Sequence, residues 1–249
     1  MTVNNQLPTN GEQEYRGLKI HAIASLHEQC MSLIESLSLP EGSKVLDLGA
    51  GEGAFSLRLL DAGFQVNAVE LEPDRFKLAV PCLNTNLNLD FHETCDQTFD
   101  VVVAIEILEH LYDPRRFIRN CLQLLNDDGI LLVTSPNTES WLSRIKFLRD
   151  GHFLWFDESD YDNYGHLTPI FSWQLKQICR ELRAELIQVT HTRNTLLRKR
   201  LGDTFLGKLK NKTFYLSALY PFMKGRKDGE INIYLIKKGT VPPAAGYLP

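Results

Sequence analysis

The segment Val45-Leu46-Asp47-Leu48-Gly49-Ala50-Gly51-Glu52-Gly53 constrains the fold more than any other stretch of the chain. A short apolar run, Lys44 to Leu48, leads straight into glycines at alternate positions. An amphipathic run, Phe55 to Ala62, follows at once. A strand turning through glycines into a helix is the opening unit of a parallel sheet, because parallel strands need a crossover connection. Glycine permits the tight turn and lets a ligand approach the backbone, and the helix start offers unsatisfied amides.

The rest of the pattern agrees. A helix is expected from Leu18 to Leu37, with Ile23, Leu26, Cys30, Leu33, Ile34 and Leu37 on one face. Gly63 suits a helix cap after Ala62. Gln65 to Leu71 reads as a strand, Asp74 to Val80 as a helix, and a short strand is expected near Cys82 and Leu83. Phe99 to Ile105 has the continuous apolar character of a buried central strand. Asp113-Pro114 reads as a helix start, since Asp caps free amides and Pro at the first position gives up no needed donor. Phe117, Cys121, Leu124 and Leu125 form the buried stripe of that helix. Asn126 to Gly129 reads as a turn, and Ile130 to Thr134 as a strand stopped by Pro136. Asn137 to Pro169 is irregular and aromatic. Trp173 to Ala184 reads as a helix, Glu185 to Thr190 and Ile231 to Lys237 as strands. The expected fold is α/β, with helices on both faces of a mostly parallel sheet.

At 249 residues and 43% hydrophobic, the chain can bury a full core. One domain over 1–249 is expected, with a polar tail at 1–14 and insertions at 138–170 and 193–230 forming an acceptor-side lid. The net charge of −4 argues against a global field for nucleic acid. The five cysteines are an odd number at wide spacing with no CxxC pair, which fits reduced thiols in a cytoplasm. No apolar run has the length of a membrane span, and the start of the chain lacks signal-peptide character.

The glycines alone also fit a dinucleotide loop ending at Ala54. The acids separate the two readings. A pyrophosphate disfavours carboxylates nearby, yet Asp47 precedes the loop and Glu52 lies within it. Two acids suit a ligand carrying an ammonium and a sulfonium, as S-adenosylmethionine (SAM) does. Glu70, about 20 residues on, suits two ribose hydroxyls. Val45 to Gly53, then Val69-Glu70-Leu71-Glu72-Pro73, then Phe99-Asp100-Val101-Val102-Val103 together resemble the class I SAM-dependent methyltransferases. The resemblance implies a Rossmann-like seven-stranded sheet whose last strand is antiparallel. It implies that Gly49, Ala50, Gly51 and Glu52 flank the methionine moiety, with Asp47 beside them and Ile105 at the end of the fourth strand. It places Glu70 on ribose and Leu71 on adenine. The family's acidic residue near the adenine amine is replaced by Asn86, followed by Leu87; Asn can still accept that bond.

Ile105-Glu106-Ile107-Leu108-Glu109-His110-Leu111 follows the central strand, where open α/β sheets hold ligands. Its ExxEH wording is similar to that of ubiquinone-pathway and glycan or small-metabolite O-methyltransferases. It is also similar to small-RNA 2′-O-methyltransferases, in which two Glu and two His hold a divalent metal. Three readings stay open. Glu109 caps a helix while His110 packs on the sheet; or His110 is a general base; or Glu106, Glu109 and His110 bind a divalent metal with His166. His166, in Tyr164-Gly165-His166-Leu167-Thr168-Pro169-Ile170-Phe171, is the second candidate base, although these aromatics could simply pack the loop down.

Arg193 to Lys227 is basic with interleaved aromatic and aliphatic residues. It fits peripheral contact with a membrane or lipid-linked substrate, and equally a solvated helix pair over the sheet edge. The reading that emerges is methyl transfer from SAM to a hydroxyl on a small-molecule or glycan-type acceptor. A metal-assisted RNA 2′-O-methyltransferase and a non-catalytic SAM-fold partner protein are the alternatives.

Overall fold

The computed structural model describes residues 13–192 and 229–239. The expected membrane-facing stretch 193–227 and residues 1–12 of the polar tail therefore lie outside the described residues.

The chain opens on a hairpin, β1 (Gln13–Tyr15) and β2 (Leu18–Ile20), paired antiparallel. Its two-residue turn, Arg16-Gly17, has positive φ at both positions, 49° and 81°. That geometry matches the twist of paired strands. The helix expected from Leu18 therefore starts later, as α1 (Leu26–Ser36). Its predicted stripe holds where it is helical: Leu26, Cys30 and Ile34 are fully buried.

β3 (Lys44–Leu48), α2 (Ala54–Asp61) and β4 (Gln65–Val69) follow as the pattern predicts. The next expected helix does not form. A single 3-10 turn, Pro73–Arg75, replaces it. Pro81 disfavours helix at Val80. The chain is instead drawn over the glycine loop: the Lys77 N–H donates to the Glu52 carbonyl at 3.2 Å. Phe76 and Leu78 lie so close over Gly53 that an added Cβ would meet them at 3.0 Å.

β5 (Cys82–Leu83), β6 (Phe99–Ala104) and α3 (Pro114–Gln123) come next. The Asp113 cap accepts from the Arg116 amide at 2.9 Å. Strand β7 (Leu125–Pro136) runs through the expected turn at 126–129 and past Thr134. A register shift against β6 between Phe99 and Val101 accommodates it, and Asp128 takes φ 62°. The stretch expected to be irregular holds α4 (Trp141–Asp150) and α5 (Glu158–Tyr164), each closed by a left-handed glycine, Gly151 and Gly165. Then come α6 (Ser172–Glu181), β8 (Glu185–His191) and β9 (Ile231–Lys237).

The main sheet has seven strands in the order β5-β4-β3-β6-β7-β9-β8. β9 alone runs against the others, paired antiparallel to β7 on one side and β8 on the other. Alternate residues feed opposite faces. Leu46, Leu48, Val102, Leu131 and Tyr234 pack with Phe117, Cys121 and Leu175 from α3 and α6. Val45, Val101, Val103, Leu132 and Ile233 pack with Leu26, Ile34, Phe55 and Leu59 from α1 and α2. Each fully buried aliphatic side chain contributes roughly 1.5–3 kcal/mol. The residues at and just past the carboxyl ends of β3 and β6 border one cavity.

Candidate active site

The glycine loop is held from several sides. Gly49 and Ala50 donate their amides to the Val69 carbonyl, at 2.8 and 3.1 Å, which ties the loop to the end of β4. Gly49, Gly51 and Gly53 all have positive φ, and a side chain at Gly49 would overlap Ile107. The Glu70 carboxylate, 7% exposed, accepts the Gly51 amide at 2.7 Å and the Glu72 amide at 3.2 Å. Leu71 beside it is exposed, as a platform for a flat ring would be.

Asp47 is buried at the end of β3 and accepts from the Ser56 hydroxyl at 2.6 Å. Burial raises its pKa to about 6, against the lowering effect of Ser56. Glu52 faces the other way. It accepts the Lys19 amide of β2 at 2.9 Å and pairs with the Lys77 ammonium at 2.7 Å. The Lys19 amide and the Lys77 ammonium hold its pKa below the ordinary value. Glu52 thus ties the hairpin and the 76–78 strap to the loop. Asn86 is exposed; its side-chain oxygen accepts the Asn88 amide at 2.9 Å, while Leu87 packs on the core.

Asp47, Gly49, Ala50, Gly51 and Ile105 border one small cavity. The sequence reading missed its other wall, which Lys19, His21 and His27 supply from the hairpin and the first turn of α1. The Arg16-Gly17 dipeptide, which suits a tight turn, was the available signal for the hairpin; His27 carried none of its own.

A second group lies past the end of β6. Glu106 takes φ 55°, a conformation uncommon outside glycine. Its amide donates to the Thr134 hydroxyl at 2.8 Å, and that hydroxyl donates back to its carboxylate at 3.1 Å. Glu109 and His110 lie in a 3-10 turn, Leu108–His110. Glu109 is fully buried, and neither carboxylate oxygen has a hydrogen-bond partner among the described residues. It is therefore no helix cap. Burial, with the Glu106 charge adding to it, raises its pKa well above the ordinary value.

The Glu109 carbonyl accepts from both Leu167 and Thr168 amides at 2.9 Å, which brings the 166–168 segment against the ExxEH turn. His110 and His166 meet edge to face, ring centres 5.1 Å apart. His166 Nδ1 lies 2.8 Å from the Trp155 carbonyl. A carbonyl only accepts, so in the neutral ring it is Nδ1 that carries the proton and Nε2 that offers the lone pair. His110 Nδ1 lies 3.3 Å from the Gly165 carbonyl. Burial, then the neighbouring His166, lower the His110 pKa. Ligand atoms of Glu109, His110 and His166 lie within 4.8 Å of one another. The structure thus brings together His110, His166 and Glu109. Glu106 lies outside that set of three ligand atoms.

Above His166 lies an open recess of about 560 Å³ between the insertion helices, lined by Phe153, Phe156, Tyr161, His166, Leu167 and Pro169 among others.

The methyltransferase-domain family matches residues 22–189 of this chain. The chain belongs to the SAM-dependent methyltransferases. Among curated relatives, a ubiquinone biosynthesis O-methyltransferase from Xanthomonas axonopodis pv. citri is 34% identical over 107 residues, 39% of this chain and 45% of the relative. One of the same name from Idiomarina loihiensis is 35% identical over 140 residues, 51% of this chain and 57% of the relative. The matched region thus spans about half the length of these relatives. A SAM-dependent methyltransferase from Archaeoglobus fulgidus superposes with a TM-score of 0.58 at 18% identity, covering 85% of this chain and 94% of that one. A putative sarcosine dimethylglycine methyltransferase from Galdieria sulphuraria gives 0.56 at 13% identity, over 92% and 91%. These two share the fold. Among the described residues no helix is long and apolar enough to cross a membrane.

Proposed function

We propose that the chain transfers a methyl group from SAM to a hydroxyl on a small-molecule or glycan-type acceptor. The acceptor sits in the recess over His166. The observation that carries this reading is the position of His166. Its ring lines the recess on one side and meets His110 and Glu109 on the other.

The sulfonium is a good leaving group, so positioning the hydroxyl in line with the methyl supplies most of the acceleration. A base contributes where the hydroxyl is weakly acidic. His166 Nε2, unprotonated, takes the hydroxyl proton as the oxygen attacks. The Trp155 carbonyl fixes the tautomer that makes this nitrogen the base. Asp157 and Glu158 also line the recess, and they disfavour a phosphate backbone there. That weighs against RNA as the acceptor.

One observation favours a second arrangement of the same group. A buried carboxylate without partners beside two imidazole nitrogens is a donor set that fits a divalent cation. Glu109, His110 and His166 would hold it, and it would supply Lewis-acid activation of the hydroxyl.

The test is an acceptor screen with radiolabelled SAM, run with and without chelator. Turnover of a hydroxylated small molecule that survives chelation supports the base reading. Turnover lost to chelator and restored by Mn or Zn supports the cation. Turnover of RNA alone refutes the proposed acceptor class. His166→Ala is expected to lower turnover about 10²–10⁴-fold with SAM affinity unchanged. Full turnover in that variant removes His166 from the chemistry.

A further inference from the structure

The recess over His166 carries more chemistry on its walls than a proton transfer uses. One wall is a single face of α5. Glu158, Tyr161 and Asp162 stand at i, i+3 and i+4, spacings that set side chains next to each other on a helix, and all three border the recess. Phe153, Phe156 and Pro169 supply apolar wall. The cavity is thus both aromatic and acidic.

These two features point independently to one ligand charge. The face of an aromatic ring is negative and attracts a cation, more strongly as water is excluded. The acids add net charge of the same sign. Asp157 is already engaged: it caps α5 and pairs with the Lys146 ammonium at 3.0 Å. Glu158 and Asp162 are exposed, and among the described residues neither has a hydrogen bond or an ion pair. Like charges four residues apart on a helix repel, so α5 itself gains nothing from the pair. Among the described residues no lysine or arginine borders the recess, and its other titratable groups, His152 and His166, are imidazoles. A neutral acceptor would use the rings and leave both charges unmatched. An anionic acceptor would be repelled.

We propose that the acceptor carries a protonated amine besides the hydroxyl that is methylated, and that Glu158, Asp162 and the Tyr161 ring hold its ammonium group. The proposal rests on the reading that the recess over His166 receives the acceptor. It narrows that acceptor to amino alcohols, aminoalkyl phenols and amino sugars with a free amine.

Three probes that share a phenyl ring and differ in end charge test it. They are 2-phenylethylamine, 2-phenylethanol and 3-phenylpropanoate. Each is titrated at millimolar concentration into the protein with its cofactor site filled by S-adenosylhomocysteine, and the His166 ring resonances are followed by NMR. The amine is expected to bind about 10-fold more tightly than the alcohol, as for one cation on a ring and exposed carboxylates, with the propanoate weakest. The double variant Glu158→Gln, Asp162→Asn should bring the amine down to the level of the alcohol and leave the alcohol unchanged. Asp127→Asn, exposed at the far end of β7, should keep the full preference. Equal binding of amine and alcohol overturns the proposal while the recess still stands as the acceptor site. A preference that survives the double variant overturns it too, as does one that falls equally in Asp127→Asn. If none of the three probes moves the His166 resonances, the recess is not the acceptor site, and both readings fall.

Discussion

Asp47 is 3% exposed, and its carboxylate accepts from the Ser56 hydroxyl. Burial lifts its pKa from 3.8 to about 6. A raised carboxylate favours the fold only while protonated. Its contribution is therefore full below pH 3.8 and is lost as pH rises through about 6. Above that pH the ionised form costs on the order of 3 kcal/mol. Asp47→Asn is thus expected to raise the melting temperature of the ligand-free protein at pH 7.5 by several degrees, while weakening SAM; thermal unfolding with and without SAM checks both. Glu70 requires a gentler substitution than alanine. It closes the loop through the Gly51 amide as well as facing the ribose position, so Glu70→Ala would disturb both. Glu70→Gln keeps one acceptor oxygen for Gly51 and is expected to weaken SAM about tenfold, measured by calorimetry. The loop itself was readable because a strand, a turn and Asp47 lie within nine residues, whereas Glu52, expected beside the ligand, is taken up by Lys19 and Lys77 from segments the sequence did not bring to it. His27 was not readable. Its Nδ1 is buried without a partner among the described residues, and a helical histidine on an apolar face has the same sequence whether or not that nitrogen is satisfied.

Asp113, Ser140 and Asp157 each cap the helix that begins after them. Asp113-Pro114 begins α3 where expected, and Asp113→Ala should cost about 1 kcal/mol, visible as a melting shift of a few degrees. Lys44–Leu48 and Ile231–Lys237 match residue for residue, because buried strands are continuous apolar runs with few alternatives. Two failures have one cause: non-local contacts overrode a plausible local period. The helix expected from Leu18 takes in Leu18 to Ile20 on paper, yet the Arg16-Gly17 turn folds them back as a strand. Asp74 to Val80 could turn helically, yet Lys77 is pulled to Glu52. Helices α4 and α5 were missed although their punctuation was present: Ser140 and Asp157 as caps, Gly151 and Gly165 as stops. The aromatic composition hid them. Besides Glu52, the hairpin is held by the Tyr15 hydroxyl donating to Asp61 at 2.7 Å, by the Arg58 guanidinium 4.0 Å over the Tyr15 ring, and by Leu18 and Ile20 packing with Ala54. Glu52→Ala is therefore expected to speed amide hydrogen exchange at 13–20 while leaving the central strands protected, as exchange mass spectrometry would show.

For the molecule as a whole, His27 acts opposite to Asp47. Burial, with the Arg58 charge, lowers its pKa from 6.5 to about 3. A depressed histidine stabilises the fold above pH 6.5, and that stability is lost as pH falls through about 3. Between pH 3.8 and 6 the two trends oppose and offset each other, so His27→Gln should make stability fall with rising pH across that range in a pH series of melting curves. The strand order carries a consequence for synthesis. β8 ends at His191, and its partner in the sheet is β9, which ends at Lys237. At roughly 5–20 residues per second, a ribosome needs several seconds to make that stretch. During that interval the outer edge of β7 and the inner edge of β8 await the one strand that joins them, so the nascent chain carries two unpaired β-edges that the finished sheet will close. That is the window in which a chaperone would find something to hold.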